Sequence, residues 1–114
     1  MGDIGVKLHG INLETSALEE FCRRWKISDL RVFGSILRDD FDAESDVDFL
    51  ADFDETIERD VFDHMDMEDE LASIIGRKVD LVSRSVIEAT GNRFYLKEIL
   101  STAEPVPAQR LSVK

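Results

Sequence analysis

Two short clusters in this sequence could do chemistry together: Gly34-Ser35 and, ten residues further on, Asp46-Val47-Asp48. From Asp46 to Phe53 polar and apolar residues nearly alternate, the period of a β-strand, whose successive side chains point to opposite faces. Val47, Phe49, Ala51 and Phe53 then face a core, while Asp46 and Asp48 share the other face. Neighbouring carboxylates repel each other unless a cation lies between them. A strand that tolerates that repulsion reads as a platform for a divalent metal, and oxygen-only ligands favour Mg²⁺, Mn²⁺ or Ca²⁺ over zinc. Gly34-Ser35 follows the apolar run Val32-Phe33, where a glycine lets backbone come close and the next residues can open a short helix that attracts phosphate. Taken alone that pair reads more readily as a turn than as a phosphate site. The acidic run Asp39–Asp48 also raises a calcium loop, but counted from Asp40 its sixth and twelfth positions hold Ser45 and Ala51, not glycine and glutamate.

The combined pattern, Gly34-Ser35, ten residues, Asp46-x-Asp48, resembles the signature of the DNA polymerase β-type nucleotidyltransferase superfamily. That superfamily carries a third carboxylate on a later strand, and Asp80 in Lys78-Val79-Asp80-Leu81-Val82 stands in a matching context. The short chain and the wording of residues 76–82 resemble the minimal nucleotidyltransferases (MNT), many of which act as antitoxins beside HEPN-domain toxins. The resemblance spans about Val32 to Val82. It implies Asp46, Asp48 and Asp80 as catalytic metal ligands, with Gly34, Ser35 and Arg38 binding nucleotide. It further implies two Mg²⁺ ions, with Mn²⁺ as an alternative, ATP as substrate, and transfer of AMP to a tyrosine hydroxyl of a cognate HEPN ribonuclease toxin. The rival reading is a non-catalytic antitoxin that neutralises its toxin by binding alone; a third is nucleotidyl transfer to RNA or a small molecule. The sequence departs from the family at Ile36 and Asp39, where an arginine and a glycine are usual, leaving Arg38 as the only arginine of the motif. Arginine forks well onto phosphate oxygens, yet Arg38 could equally pair with Asp39, Asp40 or Asp42.

The elements that must position these groups are readable at a coarse level. Ser16-Ala17-Leu18-Glu19 reads as a capping box opening a helix, with Leu18, Phe21, Cys22 and Trp25 on its buried face and Arg23, Arg24 and Lys26 in its last turn. Leu30–Phe33 reads as the strand that delivers Gly34. A longer helix is expected from about Ile57 to Ile75, with Val61, Met65, Leu71, Ala72 and Ile75 near one stripe, the acidic residues solvated and Gly76 at its end. Val79–Ser83 is the next strand, with Asp80 and Val82 on one face; beside the Asp46–Asp48 strand it would bring three carboxylates to one edge of a sheet. One or two short helices follow between Val86 and Leu100, broken near Gly91-Asn92, with Phe94, Tyr95, Leu96, Ile99 and Leu100 against the sheet and Tyr95 in the core or at its rim. The implied fold is α/β (α+β): a small mixed β-sheet with helices mainly on one face, like a nucleotidyltransferase palm.

Composition bounds the function. With 114 residues and 43% hydrophobic content, the chain reads as a single domain, with an N-terminal arm over 1–13 and a C-terminal tail over 104–114. Val6, Leu8 and Ile11 of the arm could make an edge strand or pack down, and His9 reads as a surface residue. The formal net charge of −11 argues against direct nucleic-acid binding, and fits a metal-held anionic substrate or a basic protein partner. The single Cys22 suits a reducing cytosol and reads as a buried thiol. No apolar run nears the roughly 20 residues of a membrane span, so no membrane association and a cytoplasmic location are expected.

Overall fold

A computed structural model describes residues 7–13, 15–54 and 60–107. The chain opens with a two-stranded antiparallel hairpin, β1 (Lys7–Leu8) and β2 (Ile11–Asn12), turned through His9 and Gly10. This is the arm of the sequence reading, and its Ile11 and the following Leu13 are buried in the core. Helix α1 (Ser16–Arg24) starts one residue earlier in its cap than expected. Thr15, not Ser16, is the N-cap and accepts the Leu18 N–H at 3.2 Å, so the Ser16–Glu19 capping box does not form. Glu19 pairs instead with Arg23 one turn on.

The central sheet has four strands: β3 (Ile27–Phe33), β4 (Val47–Phe53), β5 (Val79–Ser83) and β6 (Glu104–Pro105), in the order β5-β4-β3-β6. β3 runs antiparallel to β4 and β6, while β4 and β5 are parallel, so the sheet is mixed as the sequence implied. The parallel pair needs a crossover, supplied by α2 (Val61–Ile75). Two further helices, α3 (Arg84–Thr90) and α4 (Arg93–Thr102), are separated at Gly91-Asn92, where Gly91 takes the left-handed conformation and Asn92 caps α4.

Alternation along the strands sorts their side chains into two clusters. Leu30, Val32, Val47, Phe49, Ala51 and Leu81 meet α1 and α2 in the main core, through Leu18, Phe21 and Cys22 of α1 and Met67 and Leu71 of α2. The greater part of the core thus lies on one face, but the helices do not lie mainly there as expected: α1 and α2 cover it, and α3 and α4 cover the other. On the other face Phe33 and Leu50 meet Ile87 of α3 and Ile99 of α4, with Ala103 and, at the margin, Val82, Leu96 and Leu100. Asp46, Asp48 and Asp80 belong by strand period to that second, thinner face.

Three further expectations are corrected. The stripe of α2 runs through Met67 and Leu71, whereas Val61 and Met65 are more than half exposed; the first residues of the expected helix, 57–59, lie outside the described residues, and Asp60 and Asp63 form a reciprocal capping box at its start. Phe94 is 89% exposed and Tyr95 43%, so α4 packs through Leu96, Ile99 and Leu100 only. Within the expected tail, Glu104-Pro105 is an edge strand and Val106 is fully buried, its N–H donating to the Leu30 carbonyl at 2.9 Å. Proline is tolerated there because an edge strand leaves one row of its backbone unpaired; residues 108–114 lie outside the described residues. Among the described residues no helix is long and apolar enough to cross a membrane.

Candidate active site

The site begins where β3 ends. Phe33 is paired with Asp48 across the antiparallel ladder, and Asp48 is paired with Asp80 across the parallel one. A single row across three strands therefore carries Phe33, Asp48 and Asp80, at the spacing of neighbouring strands, about 4.8 Å. Asp46 lies two residues before Asp48, next to Val47, whose N–H donates to the Lys78 carbonyl at 2.9 Å and fixes the start of β4 against β5. Convergence of the three aspartates at one end of the sheet follows from this register.

Gly34 turns the chain out of β3 into a 3₁₀ helix, Gly34–Leu37. Its φ is +78°, a conformation that residues with a Cβ rarely adopt. The space matters as much: a Cβ on Gly34 would lie 2.4 Å from Oδ2 of Asp48. Only glycine lets the Asp48 carboxylate rest against this turn. Ser35 follows, half-buried, and its carbonyl accepts the Arg38 N–H at 2.9 Å to close the turn. Arg38 is exposed and its Nε donates to Asp40 at 3.3 Å, the ion pair weighed as an alternative in the sequence. Its guanidinium charge also reaches Asp48, lowering that carboxyl's pKa.

The electrostatics single out Asp48. Partial burial, then the charges of Asp80 and Asp46, push its pKa up from 3.8 to about 6, against the opposing pull of Arg38. Asp48 therefore feels both of the other carboxylates. The three side chains nonetheless are not drawn into a ready-made cage: among the described residues no group of three or more His, Cys, Asp or Glu is gathered to hold a metal. An acceptor-only set of aspartate oxygens, one of them electrostatically frustrated, still fits a hard divalent cation in its chemistry.

Sequence reasoning missed the residues that hold the loop between Arg38 and Asp46. Arg77 reaches back from the end of α2, donating to the carbonyls of Asp42 at 2.7 Å and Ser45 at 2.8 Å while its guanidinium lies 4.6 Å from the centre of the Phe41 ring. His9, exposed as expected, stacks on the same ring from the hairpin at 4.8 Å. Asp42 Oδ1 accepts from Glu44 N–H and the Ser45 hydroxyl, so the acidic run is partly a built turn. Nor is the acidic helix face merely solvated. Glu68 accepts the Leu81 N–H of β5 at 2.8 Å, and Glu70 ties α2 to α1 by accepting from Arg24 and from Trp25 Nε1. The signal for Arg77 was its place two residues before β5; nothing in its type marked the loop as its target.

A cleft of about 940 Å³ opens beside Gly34, lined by Phe33, Leu37 and Arg38 and by Tyr95, Glu98 and Thr102 of α4, among others. Against known proteins, residues 15–103 match the nucleotidyltransferase domain family. The chain belongs to that family. It is 30% identical over 86 residues to the protein adenylyltransferase MntA of Thermococcus cleftensis, covering 75% of this chain and 85% of the relative. A Methanocaldococcus jannaschii protein provisionally named a protein adenylyltransferase is 35% identical over 65 residues, 57% of this chain and 64% of that protein. A solved structure provisionally described as a minimal nucleotidyltransferase superposes with a TM-score of 0.63 at 30% identity, over 79% of this chain and 85% of that one. The family match spans the 3₁₀ turn and all three aspartates, and makes this chain a nucleotidyltransferase.

Proposed function

We propose that this chain is a metal-dependent protein adenylyltransferase that moves AMP from ATP to a tyrosine hydroxyl of a HEPN ribonuclease toxin, and so acts as its antitoxin. The observation that carries the reading is the contact between Gly34 and Asp48 at the end of the row Phe33–Asp48–Asp80. It puts a glycine turn, whose shape would suit phosphates, directly against paired carboxylates, and the relatives named as protein adenylyltransferases support a protein acceptor. Asp46 and Asp48 offer oxygens on one strand face, and Asp80 offers a third from the neighbouring strand. Mg²⁺ bound to them would neutralise charge on the α-phosphoryl group and lower the pKa of the acceptor hydroxyl. Gly34 and Ser35 steady the β- and γ-phosphates, and Arg38, exposed beside them, forks onto phosphate oxygens by giving up its pairing with Asp40. In balance, the tyrosine oxygen attacks the α-phosphorus, the bond to the pyrophosphate oxygen breaks, and the hydroxyl proton leaves to solvent. A cytoplasmic location follows from such a target.

Binding without catalysis is the second reading, and one observation favours it. On α2, Val61, Phe62 and Met65 are 64%, 70% and 54% exposed among Asp63, Asp66 and Asp69, an apolar face ringed by acid that suits a basic protein. Catalysis and plugging separate cleanly in one experiment. A small amount of this protein with ATP and Mg²⁺ should add AMP mass to a large excess of the toxin, and the toxin should stay inactive once this protein is removed. The Asp46→Asn/Asp48→Asn variant should still bind the toxin yet add no mass. Equal protection by that variant at equal stoichiometry, with unmodified toxin, would establish the plug.

A further inference from the structure

The cleft beside Gly34 has two unlike sides. One is the 3₁₀ turn, with Leu37 and the cationic Arg38; the other is α4, with Tyr95, Glu98 and Thr102, and Glu104 of β6 lies next to it. A triphosphate suits the first side and is repelled by the two carboxylates of the second. What suits the second side is a flat ring bearing hydrogen-bond donors. Tyr95 offers an aromatic face that the core does not use: α4 packs through Leu96, Ile99 and Leu100, while Tyr95 remains 43% exposed at the cleft rim. Its backbone is nevertheless fixed, because its N–H donates to Asn92 Oδ1 at 3.1 Å in the cap of α4. Glu98 and Glu104 are acceptors for the amino group of a base or for ribose hydroxyls, and Phe33 and Ile99 give the cleft an apolar floor.

We infer that the α4 side of this cleft is the nucleoside subsite, in which the base stacks on Tyr95 and the triphosphate runs past Gly34 and Arg38 towards Asp48. The inference rests on the nucleotidyl-transfer reading and deepens it. Neither the Gly34-Ser35 motif nor the aspartates select a nucleoside, since they touch only phosphate and metal. Selection must come from another element, and α4 is the element that shares the cleft with Gly34.

Calorimetry in Mg²⁺ with two probes, ATP and inorganic tripolyphosphate, tests it on the intact chain. Stacking of a base on an aromatic side chain is strong enough that Tyr95→Ala should weaken ATP binding about tenfold. Tyr95→Phe, which keeps the ring, should bind ATP like the wild type, and tripolyphosphate should bind all three proteins equally. Unchanged ATP affinity in Tyr95→Ala overturns the subsite and leaves nucleotidyl transfer standing. Equal loss of both probes also overturns it, because the residue would then act on the phosphate end. If the wild type binds neither probe, the reading of the whole site falls with it.

Discussion

Asp48→Asn should make the metal-free protein more stable near neutral pH, and the gain should vanish in acid. In the folded chain burial, Asp80 and Asp46 raise the Asp48 pKa from 3.8 to about 6. A carboxyl whose folded pKa is raised binds more protons folded than unfolded between those values, so its contribution is most favourable below about pH 4 and is lost as pH climbs through 6. A shift of about two units corresponds to about 3 kcal/mol at 1.36 kcal/mol per unit if the group were fully shielded. Asp48 is only partly buried, and solvent screening brings the figure to about 1 kcal/mol. For a chain of this size that is about 4 °C in melting temperature. Asparagine has the shape of the protonated acid, so the variant should melt about 4 °C above the wild type at pH 7 in EDTA and level with it at pH 4. Adding Mg²⁺ at pH 7 should raise the wild type and leave the variant nearly unmoved. Thermal unfolding followed by circular dichroism across that pH range reads all of this. A variant that melts lower than the wild type at pH 7, or by the same margin at both pH values, would refute the electrostatic account of Asp48.

Gly34→Ala should cost about 1–2 kcal/mol from the left-handed backbone alone. Because its Cβ would meet Asp48 Oδ2 at 2.4 Å, it should also abolish the Mg²⁺-dependent rise in melting temperature, which calorimetric scans with and without Mg²⁺ would show. Arg77→Ala removes two donors from the Asp42 and Ser45 carbonyls and the cation above Phe41, and should cost about 2 kcal/mol in urea unfolding. Amide exchange should quicken at residues 42–46 in that variant, and Arg77→Lys should restore little, since an ammonium cannot span both carbonyls and the ring.

Strand period made much of this molecule legible in its sequence. Alternation from Val47 to Phe53 assigned each residue to its face, and Asp80 stood in a second strand that would complete the site only if it lay beside the first, a condition met by its parallel pairing with Asp48. A two-residue period survives folding because it is local geometry. What was not legible depends on partners far along the chain. Glu70 looks like any acidic residue on a helix face until α1 brings Arg24 and Trp25 to it, and Glu68 until β5 needs an acceptor for the Leu81 N–H. The stripe of α2 was misplaced for a related reason: a helix with apolar residues on several sides does not announce which side is covered, and the sheet chose Met67 and Leu71.

The second face of the sheet shows how these two kinds of information combine at the site. Asp48 and Leu50 alternate onto the same face, but Leu50 is covered by the small cluster with Ile87 and Ile99 while Asp48 lies at its margin. Extending α4 over that cluster through Ile99 forms the other side of the cleft beside Gly34, while burial at the end of the sheet raises the Asp48 pKa. That packing brings Tyr95 into the cleft that Gly34 also lines, and Gly34 is the residue against which the Asp48 carboxylate rests. Asp48 and Tyr95, forty-seven residues apart in the sequence, are linked through that one glycine, which lies against the carboxylate and also lines the cleft.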